Sequence, residues 1–233
     1  MSTPTTTSQA TKQQFVMAAL TLFAEHGTAA VSMRHVNRSI GTRNNSAAHY
    51  HFGDKEGLID AVLAYIQDWF ETARSEPLSA LEQKAQTAKV DVHEILTMWI
   101  DPYLKLIREE HWGFDAIRLL ARIQHEQDSF SRDAHSRRGR IVLDRLKDLI
   151  LLALQHLPEP IVLHRLTHFA YSFVQSLAIS GIATRSMNPP NDRDLEAIAE
   201  MILDFCTAGM KAENTIKEQS EQYTRLKSLP LLF

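Results

Sequence analysis

A run of hydrogen-bonding side chains stands at the expected start of a short helix. The run comprises Thr42, Arg43, Asn44, Asn45 and Ser46. Arginine can bind guanine O6 and N7 through two hydrogen bonds, and asparagine can bind adenine N6 and N7 in the same way. Each such pair discriminates between bases by about 1–3 kcal/mol. The run therefore predicts contacts with base edges in a DNA major groove, while one of its residues caps the helix.

Two pairs of histidines have spacings that a metal site can use. His49 and His51 are separated by one residue, and His164 and His168 lie four residues apart on one face of a predicted helix. Neither pair has the further ligands that a zinc site needs. We therefore expect no metal and no other cofactor, and we assign His49 to DNA contact. A metal-sensing regulator stays open as an alternative because the chain has 11 histidines.

The sequence lacks the short motifs that mark common enzyme classes and membrane proteins. We find no Gly-x-Ser-x-Gly, no P-loop, no Gly-x-Gly-x-x-Gly and no His-Glu-x-x-His. The longest apolar run, residues 149–154, is far shorter than the roughly 18 residues of a membrane span. The single Cys206 cannot form an internal disulfide, and the first residues lack the apolar segment of a signal peptide. We therefore expect a cytoplasmic protein that is not an enzyme and has no membrane partner.

Apolar residues recur at spacings of three and four along almost the whole chain, which predicts an all-α fold. Gly27 and Gly41 are placed to end the first two helices, and Ser32 is placed to cap the second. A third short helix follows, so that the first part of the chain has the arrangement of a helix-turn-helix. Asp54 is placed to cap a longer fourth helix, which we expect to stop before Pro77.

Further helices are predicted beyond this point. We expect the last of them to be capped by Asp192 or Asp194 and to be followed by a polar tail after Ala212.

Two runs in the first part of the chain resemble the DNA-binding domain of the TetR family of transcriptional repressors. That family typically opens its second helix with Ser or Thr, has glycine in the turn, and then shows a Tyr-His-Phe element and a Lys-Glu-x-Leu sequence. The corresponding residues here are Ser32, Gly41, Tyr50-His51-Phe52 and Lys55-Glu56-Gly57-Leu58. The resemblance implies a three-helix DNA-binding head, joined through a long fourth helix to a larger helical body that binds an effector and forms a homodimer.

The resemblance also implies roles for individual residues of the head. Tyr50 and Lys55 are expected to contact backbone phosphates, with Lys55 assisted by the positive N-terminal end of the fourth helix. Ser32 and Arg34 are further candidates for phosphate contact. Such contacts position a protein on DNA without reading its sequence. Base recognition is then left to Arg43 and its neighbours.

The charges of the chain are unevenly distributed. The formal net charge of -3 gives no reason to expect a nucleic-acid partner. Residues 1–58, however, carry five Lys and Arg against three Asp and Glu, a net charge of +2, and the remainder carries 20 against 25, a net charge of -5. A basic head on an acidic body is the distribution expected when only the head faces phosphates.

The body supplies candidates for an effector pocket and a dimer interface. Ligand pockets are mainly apolar, with a few polar groups that fix the orientation of the ligand. The pocket candidates are Trp99, Tyr103, Ile107, Phe114, Ile117, Arg118, Arg122, Phe169 and Phe173. The final two helices have broad apolar faces with small residues, which favour a four-helix interface between two subunits. The interface candidates are Val174, Ala178, Gly181, Ile198, Ile202 and Phe205.

These observations predict a repressor that binds a palindromic double-stranded DNA operator as a homodimer. A small hydrophobic or amphipathic effector is expected to release it. We divide the chain into a disordered tail at 1–10, a helix-turn-helix domain at 11–58, an effector-binding and dimerisation domain at 59–215 and a C-terminal tail at 216–233. Besides the metal-sensing regulator, a helical interaction protein that has lost DNA binding is an alternative.

Overall fold

The computed structural model describes residues 6–41, 45–126, 129–183, 191–229 and 231. These residues form ten helices and contain no strand, so the predicted all-α fold is confirmed. The helices are α1 (Thr6–His26), α2 (Met33–Ser39), α3 (Asn45–Phe52), α4 (Lys55–Thr87), α5 (Val92–Glu109), α6 (Gly113–Ile123), α7 (Ser129–Ala153), α8 (Glu159–Ala183), α9 (Asp192–Lys211) and α10 (Glu221–Ser228). Helix α1 begins five residues before the domain start that we predicted at residue 11, and α10 lies within the range predicted as a tail.

The ends of the first helices are where the sequence predicted them. Gly27 has φ +85° and donates its N–H to the Phe23 carbonyl, so it ends α1 in a conformation that favours glycine. The Ser32 hydroxyl accepts a hydrogen bond from the His35 N–H at 3.2 Å and caps α2. Both predictions are confirmed.

The junction of α3 and α4 leaves no room for a side chain at one position. The Asp54 carboxylate accepts a hydrogen bond from the Gly57 N–H at 2.8 Å, which confirms the predicted cap. A Cβ atom on Gly57 would lie 2.0 Å from the Phe52 carbonyl oxygen. Because that atom belongs to the backbone, the chain itself would have to move to admit a larger residue.

The prediction that the fourth helix stops before Pro77 is wrong, since α4 continues to Thr87. An interior proline removes one backbone hydrogen bond and costs about 3 kcal/mol. Pro77 is exposed, whereas Phe70, Arg74 and Leu78 are buried at successive four-residue steps around it. Full burial of an apolar side chain is worth about 1.5–3 kcal/mol, so packing on this face offsets the cost of the proline.

The cap of the last long helix also differs from the prediction. Asn191, rather than Asp192 or Asp194, precedes α9, and its side chain accepts a hydrogen bond from the Asp194 N–H at 3.0 Å. The predicted cap was therefore wrong. Asparagine is as good an N-cap as aspartate, so residue type alone does not distinguish Asn191 from the two predicted residues. The polar segment after α9 contains a further helix, α10, which Ser220 caps and in which Tyr223 is buried.

The chain divides into two compact units. Unit 1 comprises Met1–Trp69 and Glu109–Arg138, and unit 2 comprises Phe70–Arg108 and Gly139–Phe233. In unit 1, α1 packs against α2, α3 and α6 around a core that includes Phe15, Phe23 and Val36. In unit 2, α8 packs against α9 and α10.

Substitution of Gly57 by alanine should destabilise the protein, because the new Cβ meets the Phe52 carbonyl. We expect a lower midpoint of thermal unfolding, followed by circular dichroism. Gly209→Ala is the control, since a Cβ on this helical glycine would contact nothing within 4 Å. The control should be neutral or slightly stabilising, as alanine is the better helix former. An equal fall in the unfolding midpoint of both variants would contradict the predicted clash.

Candidate functional site

Helix α2 separates its charged and apolar residues into opposite faces. Arg34 and Arg38 are exposed, whereas Val36 between them is buried. Ser32, at the start of the helix, is exposed and uses its hydroxyl as the cap. The two guanidinium groups are therefore available to an external anion, and the predicted candidate Arg34 is one of them.

Helix α3 exposes a large aromatic ring. Tyr50 is 83% exposed, and its ring contacts that of His51 edge to face at 5.3 Å. On the opposite side, Ala48 is 1% exposed, and Phe52 packs edge to face on Phe15 at 5.9 Å. His49 is exposed and its Nδ1 lies 2.6 Å from the Gly53 carbonyl oxygen. The helix thus presents Tyr50 and His49 outward.

Lys55 is positioned by the turn between α1 and α2. Its Nζ donates a hydrogen bond to the Ala29 carbonyl oxygen at 3.0 Å. An ammonium group has three N–H donors, so this contact leaves donors for a phosphate. Lys55 is also the first residue of α4, whose N-terminal end carries a partial positive charge. The Asp54 carboxylate already accepts a hydrogen bond from the Gly57 N–H in this turn.

The predicted base-reading residues lie mostly outside the described part of the chain. Thr42, Arg43 and Asn44 are not described, and for Asn45 and Ser46 only the helical backbone of α3 is described. Their assignment to DNA bases therefore stays a prediction from sequence.

A carboxylate on the segment after α6 is bonded to the turn after α1. Glu126 accepts hydrogen bonds from the Thr28 N–H, at 2.8 Å, and from the Thr28 hydroxyl. The Thr28 hydroxyl also lies 3.1 Å from the Ser131 hydroxyl, and both residues are buried. Since these groups satisfy one another away from water, they fasten the head to the α6–α7 segment within unit 1.

Helix α6 carries four predicted pocket residues, and the two that are charged have partners within unit 1. The Arg122 guanidinium donates to the Glu25 carbonyl oxygen at 3.2 Å. Arg118 pairs with Asp115 at 3.5 Å, and Asp115 in turn accepts a hydrogen bond from the Thr21 hydroxyl at 2.9 Å. Phe114 and Ile117 are buried in the same unit. These contacts help to hold α6 against α1.

A second carboxylate links α4 to the turn between α5 and α6. Glu110 accepts hydrogen bonds from the indole N–H of Trp69, at 3.1 Å, and of Trp112, at 3.0 Å. The Trp112 ring also contacts Tyr65 at 5.0 Å between ring centres. Trp69, at the end of unit 1 on α4, is therefore held in place by a charged hydrogen bond.

The other pocket candidates lie in unit 2, where four of them form a continuous aromatic cluster. The Tyr103 ring contacts Trp99 at 6.3 Å and Phe173 at 5.2 Å, and Phe173 contacts Phe169 at 6.3 Å. All four are buried, as is Ile107 on the same helix as Tyr103. The structure therefore brings together the candidates of α5 and α8.

Sequence reasoning missed the charged residue of this cluster. Arg74 on α4 is 4% exposed, and its guanidinium carbon lies 4.1 Å from the Trp99 ring centre and 4.4 Å from that of Phe70. Its burial lowers the pKa of the guanidinium below its usual value, while Tyr103 acts in the opposite direction through its charge and a hydrogen bond. A charged residue on an apolar stripe near Pro77 was the signal that could have identified it.

The predicted dimer interface includes both buried and exposed residues. Val174, Ala178 and Ile202 are buried within unit 2, and Ile198 is half-buried. Phe205 is 76% exposed. Gly181 lies in the helical backbone of α8, and its surroundings are outside the description.

Two further apolar residues of these helices are exposed. Met201 on α9 and Ile179 on α8 are 64% and 54% exposed, although neither was among the predicted interface residues.

Neither a metal centre nor a membrane span is found among the described residues. No group of three or more potential ligands from His, Cys, Asp and Glu occurs there. His164, one of the spaced histidines, has its Nε2 2.8 Å from the Leu226 carbonyl oxygen of α10. None of the described helices is both long and apolar enough to cross a membrane.

Two family models match the sequence, one in each part of the chain. The model of bacterial regulatory proteins of the tetR family matches residues 15–62, and that of the tetracyclin repressor-like C-terminal domain matches residues 97–209. The chain belongs to the TetR family of transcriptional regulators. The predicted resemblance is confirmed, and the family is one of regulators and not of enzymes. No curated protein matches the chain in sequence.

Solved structures of regulators share this TetR fold. The fatty acid degradation regulator FadR from Bacillus halodurans is 14% identical and has a TM-score of 0.58, over 87% of this chain and 97% of that one. Salmonella enterica GusR is 17% identical, with a TM-score of 0.57 over 87% and 96% of the two chains. The ketosteroid regulator KstR2 of Mycobacterium tuberculosis is 17% identical, with a TM-score of 0.52 over 87% and 96%.

Loss of the Glu126 carboxylate should weaken the attachment of the TetR head to the α6–α7 segment. In Glu126→Ala the buried Thr28 N–H loses its acceptor, while the Thr28 hydroxyl keeps Ser131 as a partner. An unsatisfied buried donor costs about 1–3 kcal/mol. We expect a clear fall in the free energy of unfolding by urea. Glu221→Ala serves as the control because its pair with Arg225 is exposed on α10, and it should unfold as the wild type does. Wild-type stability in Glu126→Ala would refute the role assigned to this contact.

Proposed function

We propose that this TetR regulator is a repressor that binds a palindromic operator as a homodimer and is released by a small amphipathic effector. The observation that carries the proposal is that the head has a basic, aromatic outer face and an apolar inner face. Arg34, Arg38 and Tyr50 face solvent, while Val36 and Ala48 on the same two helices are buried. A basic and aromatic outer surface on a helix-turn-helix is suited to a phosphate backbone and a major groove. A regulator of DNA would act in the cytoplasm.

Contacts with DNA divide into two kinds. Ser32, Arg34, Tyr50 and Lys55 would bind phosphates and sugar, which fixes the orientation of the head. The run from Thr42 to Ser46, together with His49 from the outer face of α3, would approach the base edges. The alternative of an interaction protein without DNA binding is less well supported, because the exposed cations of the head then have no role.

Homodimerisation would occur through α8 and α9. Met201 and Phe205 lie four residues apart on α9 and are both mostly exposed, which places two large apolar side chains on one helical face. Such a face is stabilised when a second copy covers it. A two-fold dimer binds half-sites about 34–36 Å apart, so the operator would be an inverted repeat.

The effector would bind in the aromatic cluster of unit 2. Trp99, Tyr103, Phe169 and Phe173 provide an apolar surface with ring contacts on two helices. The names of two structural neighbours refer to fatty acid degradation and to ketosteroids, and a third neighbour, from Saccharomonospora viridis, is in complex with choline. Release from DNA would be a population shift, in which the effector binds more tightly to a dimer whose heads no longer fit the operator.

Removal of the Lys55 ammonium should weaken binding to every DNA sequence. Lys55→Ala deletes one phosphate contact. The slope of the log of the binding constant against the log of the salt concentration should therefore become less steep by about 1. Arg43→Ala, in contrast, should relax the preference for particular bases. Binding is measured by gel shift with sequences selected from a random DNA pool, at several salt concentrations. Lys227→Ala, in α10, is the control and should bind as the wild type does. Unaltered DNA retention in both head variants would contradict the proposed interface.

A charge on the exposed face of α9 should dissociate the dimer. In Phe205→Glu the carboxylate would have to be buried without a partner when two copies associate, which is strongly unfavourable. We expect a monomer at micromolar concentration by analytical ultracentrifugation, whereas the wild type should sediment as a dimer. Ile141→Glu is the control because Ile141 is similarly exposed, at 72%, but lies on α7. A dimeric Phe205→Glu protein would exclude this face as the interface.

A further inference from the structure

Unit 2 contains a buried positive charge that no carboxylate of the described residues neutralises. The Arg74 guanidinium lies against the rings of Phe70, Trp99 and Tyr103, at 4.4, 4.1 and 5.0 Å from its carbon to the ring centres. Other arginines of the same unit have anionic or carbonyl partners. Arg145 pairs with Glu82, and Arg165 donates to the carbonyl oxygens of Met210, Ala212 and Glu213.

The unpaired polar atoms around Arg74 are all donors. Its Nε and Nη2 are buried without a hydrogen-bond partner among the described residues, and the same is true of Trp99 Nε1. Guanidinium and indole nitrogens donate and cannot accept. Tyr103 accepts a hydrogen bond from the guanidinium but carries no full negative charge. The three remaining buried donors are complementary to an anion.

Cation–π contacts with the ring faces compensate only in part for the burial of the Arg74 charge. Cation–π contacts stabilise a guanidinium, but a buried charge without a counter-charge is still unfavourable, and replacement by an apolar side chain of similar volume is often neutral or stabilising. Phe70 and Leu78 show that this stretch of α4 buries apolar side chains. Arginine at position 74 therefore needs an explanation other than the stability of the ligand-free chain.

We propose that Arg74 and Trp99 bind the carboxylate of a monoanionic effector whose apolar part lies on the rings of Tyr103 and Phe173. The planar guanidinium matches a carboxylate through two parallel hydrogen bonds. Among the described residues, Arg74 is the one cation over these rings, so the site balances a single negative charge. A phosphate monoester carries about 1.5–2 negative charges at pH 7, so part of its negative charge would be left without a partner. The inference rests on the proposed effector role of this cluster and specifies its ligand class.

The test compares acids with their neutral analogues. Thermal unfolding is followed in sodium decanoate and sodium 4-phenylbutyrate, each below its micelle concentration, and in decan-1-ol and 4-phenylbutan-1-ol. At a hundredfold excess over Kd, at least one acid should raise the Tm of the wild type by about 5–10 °C, while its alcohol should not. Decyl phosphate tests the dianion, which should stabilise less than decanoate.

Substitutions separate ligand binding from a structural role. Arg74→Met should lose the shift caused by the acid and should be at least as stable as the wild type without ligand. Arg74→Lys should keep only part of the shift, because lysine lacks the planar fork. Arg165→Met is the matched control, since it removes an arginine whose donors are satisfied, and it should lower Tm but keep the shift.

Three results would overturn the proposal: a lower Tm of ligand-free Arg74→Met, an equal effect of acid and alcohol, or no shift with either acid. DNA retention of the wild type, measured by gel shift without any acid, reports on the proposed repressor function separately. A protein that retains DNA but does not respond to the acids leaves the repressor function in place and rejects the carboxylate site.

Discussion

The unbroken backbone of α4 is the constraint on which both units depend. Its first turn is set by the Asp54 cap and by the close approach of Gly57 to the Phe52 carbonyl, and its later turns carry Phe70 and Arg74 into the core of unit 2. Helix α4 is continuous from Lys55 to Thr87, although Pro77 removes one of its backbone hydrogen bonds. Burial of Phe70 and Leu78 on one face of α4 offsets the local cost of the proline.

Local signals in the sequence predicted the helix ends that depend on one or two side chains. Gly27, Ser32 and Asp54 were identified because a left-handed glycine or a capping oxygen acts on neighbouring backbone atoms. The continuation of α4 through Pro77 depends on which side of the helix is buried, and that is decided by residues distant in sequence. Helix α10 was also missed. It buries a single residue, Tyr223, and the burial of that residue again depends on parts of the chain that are distant in sequence.

The aromatic cluster proposed to bind the effector was only partly predicted as a cluster, because periodicity identifies an apolar face but not the partner of that face. Trp99, Tyr103, Phe169 and Phe173 share ring contacts, as expected. Arg118 and Arg122 had the same periodic pattern, yet their hydrogen bonds go to Asp115 and the Glu25 carbonyl in unit 1. Arg74 was not predicted, since a lone arginine in a helix is usually solvated and only the three-dimensional fold reveals the rings around it.

The distribution of charge requires the proposed anion recognition to be local. Residues 59–233 carry a net charge of -5, which repels anions at long range. At physiological ionic strength exposed charges are screened beyond about 8 Å, whereas a buried pair is screened much less. A single buried guanidinium would thus select a carboxylate within an acidic body, while the exposed arginines of the head would select phosphates, as proposed above. Both recognitions use positive charge, and burial determines which anion each can bind.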